Sequence, residues 1–200
     1  MALDAACGTG RFAEILSKSG HRVIGVDSSP DMLAHARQRV PHGDFRVAEL
    51  DRLPLPDDSV DVIVCALALE HVPSLDPVLA EFARVLRPGG DLVISDVHHE
   101  LLTRGSAMTT RGPAGEPRIA PTYRHQLGDY LRAALSLGLQ VRRCEEPCVA
   151  RVDGPPPEPA TEIGDWKDWP FSLGDYLPSA TRAAGGRPHL VIWHFQLPAG

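Results

Sequence analysis

Two glycines and two aspartates carry the most legible chemistry in this 200-residue sequence. Gly8-Thr9-Gly10-Arg11-Phe12-Ala13 fits the G-x-G-x-x-G/A pattern of a loop that runs along a bound nucleotide. A glycine has no Cβ, so the backbone can approach a ligand closely. The free N–H groups of the helix that starts behind the loop face the same place. Asp4 stands just before the loop. Asp27 ends the next apolar run, at the separation from which a carboxylate accepts both hydroxyls of a ribose. Taken singly, the loop is also a plain strand-to-helix turn and Asp27 a helix cap. Taken together they favour a nucleotide-like cofactor, and the glycine pattern leaves an NAD(P)-dependent oxidoreductase open.

Proton removal at such a site needs a base only if the acceptor must lose a proton. The candidates are His71, His98, His99, Tyr123 and His125. All fall in loops after expected strands or before an expected helix, the end of an α/β sheet where ligands bind. For each one singly, a solvent-facing loop side chain is the commoner role. Asp96, His98, His99 and Glu100 also bring a metal site to mind. Adjacent residues on an extended chain point to opposite sides, so no metal is expected. A proline-rich insert at about 150–187 carries Trp166, Trp169, Phe171 and Tyr176. These aromatics either close over a planar acceptor or pack the insert onto the sheet edge. The insert's acids, Glu158, Glu162, Asp165, Asp168 and Asp175, read as a solvated face.

These groups must be positioned by alternating strands and helices. Strands are expected at Ala2 to Ala6, Val23 to Asp27, Asp44 to Ala48, Val60 to Ala66, Leu92 to Ser95, Gln140 to Glu146 and His189 to Leu197. Val23-Ile24-Gly25-Val26 and Val60 to Ala66 are continuous apolar runs, as in parallel strands buried on both faces. Helices are expected from Gly10 to Ser19, with Phe12, Ile15 and Leu16 as the buried face, and after Ser28 or Ser29, with Pro30 in the first turn and Met32, Leu33, Ala36 and Val40 as the stripe. Another opens at Asp76-Pro77 and buries Val78, Leu79, Phe82, Ala83, Val85 and Leu86, until Arg87-Pro88-Gly89-Gly90 stops it. The last runs from Leu127 to Leu137. Residues 100–125 read as irregular. The order predicts an α/β, Rossmann-like, doubly wound and mostly parallel sheet with an antiparallel last strand.

The motifs, in order, resemble class I S-adenosylmethionine-dependent methyltransferases, closest to the type 11, small-molecule branch. Leu3-Asp4-Ala5-Ala6-Cys7-Gly8-Thr9-Gly10 is similar to that family's motif I, with Ala6 where the first glycine is usual. Val26 to Leu33 resembles its second-strand acid and following helix, and Ala48 to Leu55 its adenine-contacting loop. Ser59 to Ile63 resembles motif IV, and Arg84 to Gly90 the turn before strand five. The resemblance is dense over residues 2–98 and looser over 122–147. It implies S-adenosyl-L-methionine as cofactor and methyl transfer to an O, N or C atom of a small organic acceptor. A non-catalytic cofactor-binding module of the same fold is the other alternative. It implies that Asp4 faces the methionine amino group and that Ala6, Gly8 and Gly10 line the methionine and ribose side. Asp27 takes the ribose hydroxyls, with Ser28 and Met32 near the adenosine. Glu49 accepts from the adenine amino group beside Leu50, and Cys65, Ala66 and Leu67 pass under the methionine. The family normally carries a helical segment before motif I. That cap segment is expected to be missing here, leaving a more open pocket, weaker cofactor binding and impaired activity.

The bulk numbers fit this reading. The expectation is one domain over 1–200, with a cofactor-binding half at 1–98 and an acceptor-side half at 99–200. Apolar content of 43% and charged content of 23% are ordinary for a globular protein. The net charge of −6 lacks the basic balance that a nucleic-acid partner favours. No apolar run approaches the ~20 residues of a membrane span. Four cysteines without a pairing pattern point to a reducing, cytoplasmic setting. Oligomeric state is not legible.

Overall fold

A computed structural model describes residues 1–103, 108–148, 150, 154–155, 158–162, 165, 178–183 and 185–199. The first half alternates strand and helix: β1 (Ala2–Ala5), α1 (Arg11–Lys18), β2 (Val23–Asp27), α2 (Pro30–Arg39), β3 (Asp44–Val47), β4 (Val60–Ala66), α3 (Leu75–Val85) and β5 (Leu86–Val97). After these come α4 (His99–Thr103), β6 (Thr109–Arg111), β7 (Pro117–Ile119), α5 (Leu127–Ser136), β8 (Gln140–Glu145), α6 (Pro178–Ala183) and β9 (Leu190–Gln196). Seven strands form one sheet in the order β3-β2-β1-β4-β5-β9-β8. The first five are mutually parallel, and β9 runs antiparallel to both β5 and β8. The chain thus reverses its winding between β1 and β4, where a crevice opens beyond the strand ends.

Alternation along β2 shows how the sheet is covered. Ile24 and Val26 join the larger core, with Leu79 and Phe82 of α3 and Ala133 and Ala134 of α5. Val23 joins the other core, with Ala13 of α1 and Leu33 and Ala36 of α2. Successive strand residues point to opposite faces, so helices cover both sides.

Several expectations shift. The buried side of α1 is carried by Ala13, with Leu16 partly covered, while Phe12 and Ile15 are 41% and 58% exposed. Ala13 donates its N–H to the buried Asp4, and that bond sets the rotation of the helix. On α2, Leu33 and Ala36 are buried but Met32 is exposed. Ser29 is its cap, accepting from the Met32 N–H. Ser74, not Asp76, caps α3, so that helix starts at Leu75. Arg87-Pro88-Gly89-Gly90 does not separate helix from strand. Leu86 already pairs with Val60, and the next pair is Val62 with Asp91, so these residues bulge out of one long strand. Within residues 100–125 the chain forms α4 and the small β6–β7 hairpin. Trp166, Trp169, Phe171 and Tyr176 of the insert lie outside the described residues. Among the described residues, no helix is long and apolar enough to cross a membrane.

Candidate functional site

The chain leaves β1 through a left-handed stretch. Ala6, Gly8 and Gly10 have φ of 55°, 52° and 79°. Cys7 donates its N–H to Val26 O at 2.9 Å, and Gly10 donates to Cys7 O at 2.8 Å, so the turn is tied to β2 and to itself. The two glycines then do different work. A Cβ on Gly8 would meet open space, whereas one on Gly10 would lie 3.1 Å from the Cα and Cβ of Ala36. Gly8 faces the crevice, and Gly10 lets the start of α1 approach α2.

Asp27 closes the turn from the other side. Its Oδ2 accepts the Gly8 N–H at 2.8 Å and its Oδ1 accepts the Ser29 N–H at 2.9 Å. Each oxygen keeps a further lone-pair site, so the carboxylate can still accept from a vicinal diol. Asp4 is 2% exposed and accepts the Ala13 N–H at 2.7 Å. Burial pushes its carboxyl up to about 7; the Ala13 bond opposes the rise and Asp27 adds to it. A buried carboxyl so poised gains a charge most easily when a cation arrives beside it.

These groups border a cavity of about 820 Å3 over the carboxyl ends of β1, β2 and β4, within the roughly 300–1,000 Å3 of small-molecule sites. Of the expected cofactor contacts, Asp4, Ala6, Gly8, Asp27, Ser28, Met32, Glu49, Leu50, Ala66 and Leu67 line it, and Gly10 and Cys65 do not. Cys65 is fully buried in the core, and burial raises its thiol well above the ordinary range. Leu67, at φ 52°, adds another left-handed residue at the rim. The remaining walls include Arg11, Phe12 and the stretch Val72-Pro73-Ser74 with Pro77 and Val78. That stretch follows β4, and the rule that ligands sit beyond the strand ends was the signal that could have found it. Asp4, Asp27, Glu49 and Asp51 face one arginine, Arg11. This balance suits a ligand with cationic groups and a diol better than a pyrophosphate. S-adenosylmethionine has such groups, and the residues present fit it.

The five candidate bases are not equivalent. His71 lines the cavity; His98, His99, Tyr123 and His125 do not. His125 Nε2 sits 3.0 and 2.9 Å from the carbonyls of Leu69 and Val72, so it is a donor that pins the turn Leu69–His71. Buried His98 places Nε2 2.9 Å from Glu146 and accepts the Glu100 N–H at Nδ1. His99 lies against His98 with ring centroids 4.4 Å apart and planes tilted by 34°, and among the described residues its Nδ1 is buried without a partner. Burial, followed by the neighbouring His98, lowers its pKa. Tyr123 is 39% exposed and its backbone N–H donates to Glu70 O at 2.6 Å. Among the described residues, no cluster of three or more His, Cys, Asp or Glu could hold a metal.

A buried acid network lies behind this wall. Glu70, Asp96 and Tyr130 are each 2% exposed or less, and Tyr130 donates to Asp96 Oδ2 at 2.6 Å. Desolvation, then the shared hydrogen bond and charge of Asp96, push Glu70 up to about 9. At neutral pH Glu70 is therefore protonated. Burial, followed by the charge of Asp96, raises the Tyr130 phenol, which stays a donor. Sequence reading missed this trio, because its members come from three separate elements and have no spacing signature.

Residues 3–94 match a family model described as a methyltransferase domain. The chain is 42% identical over 93 residues to a malonyl-[acyl-carrier protein] O-methyltransferase of Yersinia pestis, covering 46% of this chain and 35% of that protein. It is 32% identical over 189 residues to an arsenite methyltransferase of Halobacterium salinarum, covering 90% of this chain and 44% of that one. The chain thus spans less than half the length of either relative. A solved S-adenosylmethionine-dependent methyltransferase from Mesorhizobium loti shares the fold, with a TM-score of 0.67 at 23% identity, covering 98% of this chain and 90% of that chain. These matches do not support the oxidoreductase alternative.

Proposed function

Because residues 3–94 match a methyltransferase domain and the fold is that of S-adenosylmethionine-dependent methyltransferases, we propose that this chain is a class I methyltransferase that transfers a methyl group to a small organic acceptor in the cavity beyond β1, β2 and β4. The observation that carries this reading is the set of carboxylates around that cavity, with Asp27 tied to the glycine loop and Asp4 buried against α1. The bound cofactor supplies an electrophilic methyl group on a sulfonium. Asp27 holds the ribose diol through its remaining lone pairs, and Gly8 leaves room for the sugar. Asp4 faces the methionine ammonium, where its gained charge is neutralised. Glu49 and Leu50 flank the adenine, and Ala66 and Leu67 pass beside the methionine. Much of the rate then comes from holding acceptor and methyl group in line.

The acceptor enters past the stretch from His71 to Val78, which belongs to the half at 1–98. An acceptor of small-molecule size is supported by walls of Val72, Pro73, Pro77 and Val78. Four free cysteines support a reducing, cytoplasmic setting. Thermal-shift measurements with S-adenosylhomocysteine and with NADH test the reading: stabilisation by the first alone supports it, and stabilisation by NADH alone refutes it.

A further inference from the structure

His71 borders the cavity with its ring in a defined tautomer. Nδ1 lies 2.9 Å from the carbonyl oxygen of Pro121. A carbonyl only accepts, so Nδ1 carries the hydrogen and the lone pair of the neutral ring is on Nε2. Among the described residues no donor hydrogen-bonds that Nε2. Its acidic neighbour is Glu70, with Oε1 at 3.7 Å, beyond hydrogen-bond reach. Burial and Asp96 favour the neutral form of Glu70, so no fixed negative charge faces Nε2.

The ring is also held still. Tyr123 donates its backbone N–H to Glu70 O, and His125 donates to the carbonyls of Leu69 and Val72. With the Pro121 bond, these contacts stitch residues 121–125 onto the turn that bears His71. Nδ1 bound to a fixed acceptor, in a side chain that lines the cavity and whose Nε2 has no hydrogen-bond donor among the described residues, is the arrangement of a base held by a third group. Beside it stand the apolar walls Val72, Pro73 and Val78.

We infer that His71 is the general base of the reaction and that the acceptor carries a protonated hydroxyl on an apolar body, a phenol-type substrate rather than a carboxylate. This rests on the methyltransferase reading. A carboxylate is already ionised at neutral pH and needs no base. In the step, a lone pair of the hydroxyl oxygen forms the O–CH3 bond and the methyl–sulfur bond breaks with its electrons left on sulfur. The O–H proton passes to Nε2, and the imidazolium later returns it to water. The balance is sulfonium plus R–OH giving thioether, R–OCH3 and one proton.

Two measurements on the full chain test this. Nitrogen-15 NMR of histidine-labelled protein with S-adenosylhomocysteine bound should show Nδ1 protonated and Nε2 bare at His71. Labelled-methyl transfer should then be compared for 4-ethylphenol, 4-ethylthiophenol and 4-ethylbenzoate, with His71→Asn beside the wild type. The expected result is a loss of at least 100-fold with the phenol in the variant, in kcat rather than KM. That loss should exceed the loss with the readily ionised thiophenol by at least 30-fold, and the acid limb of the phenol pH profile should vanish. An Nε2-protonated tautomer, equal losses for phenol and thiophenol, or wild-type transfer to the benzoate alone overturns the inference. Failure of S-adenosylhomocysteine to bind the wild type would instead remove the reading beneath it.

Discussion

Asp4 offers a quantitative test of how the site is built. Its carboxyl is pushed from 3.8 to about 7 by burial, with a single backbone N–H in partial compensation. The folded protein therefore holds a proton on Asp4 that the unfolded chain releases near pH 4. The stability tied to that proton is present in full below about pH 4, falls as the pH rises, and is gone above about pH 7. A shift of about 3 units at about 1.4 kcal/mol per unit sets a ceiling of about 4 kcal/mol. Asp4→Asn keeps an oxygen to accept the Ala13 N–H and removes the ionisation. The variant should match the wild type near pH 4 and exceed it by up to about 4 kcal/mol at pH 8, read as the difference between urea-unfolding curves at each pH. Taking that difference cancels the contribution of Glu70, which has the same sign over a higher window. The same variant should bind S-adenosylhomocysteine more weakly at pH 8, because the charge that faces the ammonium is gone. A stability difference that does not change between pH 4 and pH 8 would refute the assignment of Asp4 as a buried carboxyl kept partly protonated by the fold.

Two further perturbations follow from local geometry. Ala6 sits at φ 55°, where a side chain costs about 1–2 kcal/mol and glycine does not. Ala6→Gly gives back part of this in unfolded-chain entropy, so a net gain of about 0.5 kcal/mol and a Tm rise of about 1–2 °C are expected by calorimetry. Glu70→Gln removes a carboxyl that is already protonated at neutral pH. The variant should match the wild type below about pH 5 and become the more stable protein as the pH rises from about 5 to 9, because the unfolded wild type ionises there and the folded one does not; thermal melts across that range read the difference.

The parts of the fold that the sequence showed were those with local physical signatures. The apolar run of β4 and the Ser29-Pro30 start of α2 depend on neighbours a few residues apart, and they appear where expected. The antiparallel last strand also forms. The β6–β7 hairpin was invisible because its strands have three residues each and bury nothing. The face of α1 was misjudged because hydrophobicity favoured Phe12 and Ile15, while a bond from Ala13 to buried Asp4 fixed the rotation. Asp4, Gly8 and Asp27 were legible as a loop with two acids, since motif spacing along the chain preserves their relation. The tautomer of His71 was not, because Pro121 lies 50 residues away. Nor was the protonated state of Glu70, which depends on Asp96 of β5.

The central claim is that the cavity beside Asp27 is the S-adenosylmethionine site. Isothermal titration of S-adenosylhomocysteine into the wild type and Asp27→Asn tests it most directly. One-to-one binding to the wild type is expected, with a loss of about 10- to 100-fold in the variant, since hydrogen bonds to a charged acceptor are worth about 1.5–3 kcal/mol. The variant's circular dichroism spectrum should match the wild type. Affinity unchanged within about twofold in a folded Asp27→Asn protein would contradict the claim.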